Sequence, residues 1–581
     1  MTQNYNGGFH LVDSTRGAII HTWNVRNTAS TIGRIDLTDN DNNWTTAEHS
    51  PENDDMGLDV FWSLQQIYDY FLNHYQINSL DDQGLTLTAY VRWGNTTGTQ
   101  DNAGWHDDNY FFFGDGEVDF RPVASLDVVG HEYGHGLTDF QIGWGSLNDQ
   151  NAFHEGLSDI WGAILEQRIN PGSQWRIGEQ ITLNKPYLRN IQYTNDANSL
   201  VQTADTYNST QYNNASGNLK PYIRGGVFAH WFYILSNGEV GINDIGSSYN
   251  VTGIGLDLAE ELIAEAVFNN YLDNTTSYAA IRTSFINAAS ALYCANSPEV
   301  KAVTNAWYAV GVGSAFNGTL PSISGTEPVC TTRPFTLNNQ PANTTLSWSS
   351  GNVAQMTVAS NGTVSRINNY SGSANLIATI SGTGGCQTSI SKQIWLGNPI
   401  IATMKVDGNN YYDGYPICPG NHWASVTYNG FASPATWTVQ SGITYFVGSN
   451  QIDFTLPYNG YSSIWITAKA SNVCAGTSYN SNFYLTKKTY GCGSMMVSIF
   501  PNPSSESLNL ETSILSYDNE SPIEIIADEI ELLDENGQVL IHTFPGSSTT
   551  QLDTRKIVSG QYYLHVRISN EIIKRHIFVE R

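Results

Sequence analysis

Apolar side chains recur at helical spacing over residues 56–75, where Leu58, Phe61, Trp62, Leu64, Ile67, Tyr68, Phe71 and Leu72 fall on one side. The runs 9–13, 18–23 and 85–93 read as strands, separated by Asn, Asp and Gly clusters. From residue 126 helical spacing takes over. It covers a segment around 128–135, a second with Leu157, Ile160, Trp161 and Ile164 on one face, and then 227–235, 256–271, 277–293 and 298–310. Beyond residue 318, Ser, Thr, Gly and Asn alternate with apolar residues, the pattern of β-sandwich strands. The chain is therefore expected to be multidomain: an α+β unit with a β-rich lobe (1–125) and a helical lobe (126–317), then all-β sandwiches over 318–396 and 397–490, and a last β unit over 495–581.

Composition narrows the function. At 581 residues the chain is too long for one core. It has 26 Lys+Arg against 53 Asp+Glu, a net charge of −27, which argues against nucleic acid and fits an exported protein able to bind Ca²⁺. No apolar run approaches the roughly 18 residues of a membrane span. Six cysteines lie beyond the first helical segments, and none is in a C-x-x-C pair. Cys330 to Cys386 and Cys418 to Cys474 are both 56 residues apart. Equal spacing predicts two modules, each closed by an internal disulfide in an oxidising compartment. Cys294 and Cys492 are left over, either free or paired with each other.

The chemistry concentrates in His131-Glu132-Tyr133-Gly134-His135. On a helix, His131 and His135 point from one face and can hold one Zn²⁺, with Glu132 beside it as a proton acceptor. A polar helix face with two unrelated histidines would look the same locally. Glu155, twenty residues after His135 on a second amphipathic segment, supplies the third ligand such a site needs. Asp159, four residues further on the same face, suits a carboxylate that fixes a ligand imidazole through its other nitrogen; the alternative is an exposed helix charge.

The run 113–139, Phe-Gly-Asp-Gly-Glu-Val-Asp-Phe-Arg-Pro-Val-Ala-Ser-Leu-Asp-Val-Val-Gly-His-Glu-Tyr-Gly-His-Gly-Leu-Thr-Asp, resembles the thermolysin-like zinc metalloproteases. So do the segments 155–162, 12–17 and 303–312, in the family's order. The resemblance implies zinc on His131, His135 and Glu155, with Glu132 as general base. It implies that Arg189 holds a substrate carbonyl, a surface salt bridge being the alternative, and that Asn102 and Ala103 bind substrate, although Gly104 replaces the usual aromatic residue. Asp127, Glu166 and Glu179 fall on calcium-ligand positions. Gln174, Arg176 and Gln180 stand where paired-calcium members carry acids, so at most one Ca²⁺ is expected. The family's oxyanion Tyr falls on Ser146, and its later His on Tyr222. A phenol can donate a hydrogen bond, so Tyr222 is the candidate there; His230 is expected to lie within its helix, away from the site.

Further along, Cys330…Trp348…Cys386 and Cys418…Trp437…Cys474 resemble the order in immunoglobulin-like domains. The succession Phe500-Pro-Asn-Pro, 530–540, 559–566 and 574–579 resembles the C-terminal sorting domain of the type IX secretion pathway of Gram-negative bacteria. That implies secretion machinery as a partner and a secreted or cell-surface location. Members of the protease family are made with a signal and a pro-segment; the polar start Thr-Gln-Asn-Tyr-Asn after Met1 shows neither, and a processed or truncated form is expected. The combined expectation is a secreted metalloendopeptidase acting on proteins or peptides. Its alternatives are a catalytically weak or inactive thermolysin-like surface adhesin or binding module, with turnover lost at Ser146 and Tyr222, and a carbohydrate-binding role for the sandwiches.

Overall fold

The computed structural model describes residues 2–580 apart from 6–7, 46–54, 97, 148, 172–174, 274, 458, 475–478, 489–493, 516–522 and 569–570; Gln174 and Cys492 thus lie outside the described residues. The first 115 residues build a six-stranded sheet from β1 (Val12–Asp13), β2 (Ile20–Thr28), β3 (Ile35–Asp36), β4 (Leu87–Trp93), β5 (Ala103–His106) and β6 (Tyr110–Gly114). Its order is β1-β2-β4-β6-β5, with β3 paired to β2. β2, β4 and β6 run parallel, and β5 returns antiparallel along β6, which leaves β5 at the edge. Helix α1 (Asp55–Tyr75) packs Val60, Phe61, Leu64, Ile67, Tyr68 and Phe71 inward, as its spacing predicts. Trp62, expected on that side, is 48% exposed, because the inward stripe is narrower than the apolar one.

Helices α2 (Leu126–Gln141) and α3 (Gln150–Ile169) carry the predicted chemistry and lie against each other. Glycine permits their approach: a Cβ on Gly162 would lie 2.6 Å from the Asp127 carbonyl oxygen, and one on Gly134 would lie 2.9 Å from Ser158 Cα. Helix α4 (Lys220–Asn237) begins earlier than the periodicity predicts, because Pro221 opens its first turn. Helix α5 (Leu256–Phe268) ends early, just before Asn270 at φ 61°. Helices α6 (Tyr278–Tyr293) and α7 (Pro298–Ala309) start at Ser277 and Ser297, whose hydroxyls accept the N–H groups of Ala280 and Val300. One hydrophobic core runs through both lobes; Phe71 of α1 meets Tyr133 of α2 and Trp161 of α3 at ring distances of 5.2 and 5.0 Å.

From residue 322 onward the described elements are strands, in three pairs of sheets with separate cores. The first pair encloses Phe335, Met356, Val364, Leu376 and Leu396; Trp348 packs against that core, and Trp437 against the second. The cysteine pairing differs from the expectation. Cys294 bonds Cys386, and Cys330 bonds Cys474, so the predicted Cys330–Cys386 and Cys418–Cys474 pairs do not form. Cys418 is disulfide-bonded to another partner. Each module already has a core that closes it, and the bridges lie instead where modules abut. The first joins the end of α6 to the turn between Gly372–Gly382 and Gln387–Leu396; nearby, Thr388 Oγ1 donates to Glu299 at 2.9 Å. The second joins the two sandwiches, where Asn472 Nδ2 donates to the carbonyls of Gly397 and Gly430 at 2.9 and 2.8 Å.

Candidate active site

Helix geometry brings His131 and His135 of α2 to one face, and α3 sets Glu155 opposite them. His131 Nε2 lies 3.1 Å from His135 Nε2 and 3.4 Å from Glu155 Oε2; His135 Nε2 lies 3.8 Å from the same oxygen. That oxygen is buried and makes no hydrogen bond. A tetrahedral ion with ligands at about 2.0–2.2 Å holds them roughly 3.3 Å apart, so the donor set fits zinc in type and spacing. The electrostatics agree. Burial alone would strip His131 of its proton, but its hydrogen bond to Asp159, the closeness of Glu155 and the charges of Asp159 and Glu132 overcome this and raise its pKa to about 10. The pocket thus attracts positive charge. Burial, then the charge of His131, keeps His135 well below its ordinary range, in the neutral form a ligand needs.

Asp159 is 4% exposed, which rules out the exposed-charge alternative. His131 Nδ1 donates to its Oδ1 at 2.9 Å, and Arg189 donates to both oxygens at 2.8 and 2.6 Å. Burial opposes this charge, but Arg189 and then His131 hold the carboxyl down at about 2. Arg189 is therefore in an ion pair, but a buried one that lines the cleft, not a surface pair. Its guanidinium sits 5.3 Å from the centre of the Tyr222 ring. Tyr222, in the first turn of α4, is held protonated by the charge of Glu155 and by burial. Glu132 is 6% exposed; burial first, with the Glu155 charge adding, pushes it up to about 7 against the pull of His131 and Arg189.

His131, Glu132, His135, Arg189 and Tyr222 line a cleft of about 680 Å³ between β5 and the α2–α3 pair, with Asn102 and Ala103 on its wall. Ser146 is exposed and is not among the residues lining the cleft. His230 lies in a different cavity, where Nδ1 donates to the Ile191 carbonyl at 2.9 Å. Sequence reasoning missed three cleft residues. His154, beside Glu155, stacks on His135 at 5.8 Å and donates from Nε2 to the Trp144 carbonyl. Trp105 donates from Nε1 to Asp139 at 2.6 Å. Asp139 stands four residues after His135, so the helical step used for Asp159 would have found it. A second cluster lies behind α2: the carboxylates of Asp127, Glu166 and Glu179 offer oxygens within 4.8 Å of one another. Burial and then the charge of Asp127 raise Glu179, so the three favour a neutralising cation.

The model of the thermolysin metallopeptidase catalytic domain matches residues 1–139, and that of the alpha-helical domain matches 147–312. A secretion system C-terminal sorting domain matches 498–580. The thermostable neutral protease NprT of Geobacillus stearothermophilus is 30% identical over 310 residues, 53% of this chain and 53% of that protein. Bacillolysin of Bacillus cereus is 30% identical over 308 residues, 52% of this chain and 51% of that protein. The precursor of protealysin, a metalloproteinase from Serratia proteamaculans, aligns with 52% of this chain and 89% of its own at 23% identity and a TM-score of 0.42. The chain spans about half the length of the curated relatives it matches. With both peptidase domains matched in order over a partly buried two-His, one-Glu cluster, the first 312 residues belong to the thermolysin metallopeptidases, and residues 498–580 are a secretion sorting domain.

Proposed function

We propose that this chain is an exported zinc endopeptidase that cuts extracellular proteins or peptides. The observation that carries the reading is the convergence of His131, His135 and Glu155 at 3.1–3.8 Å, with Glu132 buried in the same cleft. His131 Nε2, His135 Nε2 and Glu155 would hold the ion. The chemistry such an ion supplies is Lewis acidity, which polarises a carbonyl and acidifies water. Glu132 takes the proton of the attacking water and passes it to the leaving nitrogen. Tyr222 donates a hydrogen bond to the developing oxyanion, and Arg189, fixed by Asp159, turns its remaining N–H groups toward a substrate carbonyl. Asn102 and the edge of β5 align the peptide as an added strand. Asp127, Glu166 and Glu179 hold a single Ca²⁺ that ties α2 and α3 to the loop after them. The sorting domain directs the protein through the type IX pathway to the outside of a Gram-negative cell; no helix among the described residues is long and apolar enough to cross a membrane.

The test is hydrolysis of a quenched peptide library by zinc-loaded protein, beside Glu132→Gln and a chelated sample. Cleavage lost in both controls, with zinc retained at one equivalent in the variant, is the expected result. A folded, zinc-loaded protein that cuts nothing would reject the peptidase reading and leave a binding module.

A further inference from the structure

We propose that the cleft selects extended peptides with Lys or Arg on both sides of a short apolar stretch; the inference rests on the peptidase reading above. Two pairs of aspartates line the cleft at opposite ends of β5: Asp101 with Asp119 before the strand, and Asp107 with Asp139 after it. Both ends are built. The Asp101 carboxylate accepts the backbone N–H groups of Glu117, Val118 and Asp119, the last two at 2.9 and 3.0 Å. These bonds outweigh burial and hold it below the usual carboxylate range, so it stays charged. Asp139 accepts the Trp105 indole N–H at 2.6 Å; burial, with the charge of the exposed Asp107 adding, raises its carboxyl against that bond and the charge of His154.

Among the described residues lining the cleft, Arg189 is the sole Lys or Arg, and its charge is met by Asp159 at 2.6–2.8 Å. Among the same residues no Lys or Arg pairs with the four aspartates, although the charge of His154 reaches Asp139. The same cavity is also lined by the apolar side chains of Val128, Ile181, Leu188 and Val201. β5 is an edge strand of four residues, roughly 13 Å long. A peptide laid along it places side chains several residues apart beside the two acidic ends and its centre against the apolar wall. Like charges meeting there repel, and opposite charges are also steered in from solution.

The experiment uses the full zinc-loaded chain and quenched peptides that share one apolar centre. They carry Lys at either end, at both ends, or Glu at both ends. Lys at both ends is expected to give a kcat/KM roughly tenfold or more above the Glu peptide at about 50 mM salt, shrinking severalfold at about 300 mM. Asp107→Asn and Asp139→Asn together should erase the preference at one end only, and Asp119→Asn should weaken it at the other. Equal rates for Lys and Glu peptides, or a preference that survives these substitutions, would overturn the proposal. Anisotropy of the same peptides on the Glu132→Gln protein reads the preference without turnover. Selective binding there with no cleavage by the parent chain would sink the peptidase reading and support this one; indifferent binding would sink this one alone.

Discussion

At the scale of single residues, Asp159 couples two functions, since one buried carboxylate orients His131 and neutralises Arg189. Asp159→Asn keeps an acceptor and removes the charge. Zinc affinity is expected to fall about 10–100-fold in competition with a chromogenic chelator. Stability should fall by about 3–5 kcal/mol in denaturant melts, because Arg189 is left buried without a counter-charge. Asp13 makes a pH prediction remote from the metal. Burial opposes its charge, but hydrogen bonds from Thr15 and Gln65 and the charge of Arg16 depress it to about 2. A depressed carboxyl stabilises fully above its unfolded value, near 3.8, and loses that contribution as pH falls through about 2. Asp13→Asn should therefore lower the melting temperature at pH 6 and flatten its fall between pH 4 and 2. The convergence of His131, His135 and Glu155 was legible because a helix fixes which way residues four apart must point, and Asp159 followed from Glu155 by that step. Trp105 was not, since its role depends on β5 arriving opposite α2 from elsewhere in the chain.

Among the elements, the contact of α2 with α3 decides the site, because one helix brings His131 and His135 and the other brings Glu155. Gly162→Ala would drive a methyl to 2.6 Å from the Asp127 carbonyl oxygen, which is backbone and has little room to yield. The expected cost is about 1–3 kcal/mol, together with weaker zinc binding as Glu155 moves away from the histidines; a melt and a zinc titration check both. Apolar periodicity revealed the helices, but not where each begins. Pro221 carried α4 back by seven residues from the predicted 227 to Lys220, and this places Tyr222 in the first turn, at the cleft. The disulfides were misread for a related reason: equal spacing along the chain says nothing about which surfaces meet.

For the whole molecule, the two described bridges fasten the first sandwich to the peptidase and the second sandwich to the first. Changing Cys294 and Cys386 together to Ser should leave the catalytic core folded, since that core is continuous without them. Freeing a crosslink between residues 92 apart should cost about 4–5 kcal/mol in the docked state. Faster hydrogen exchange in Gln387–Leu396 than in the parent would register the loosened sandwich. The bridges also overlap along the sequence: 294–386 and 330–474 share residues 330 to 386. Any single nick of the backbone between 294 and 474 therefore leaves both fragments joined through sulfur. A protein released among proteases can be cut in either connecting segment and still migrate as one piece until a thiol reductant separates its halves.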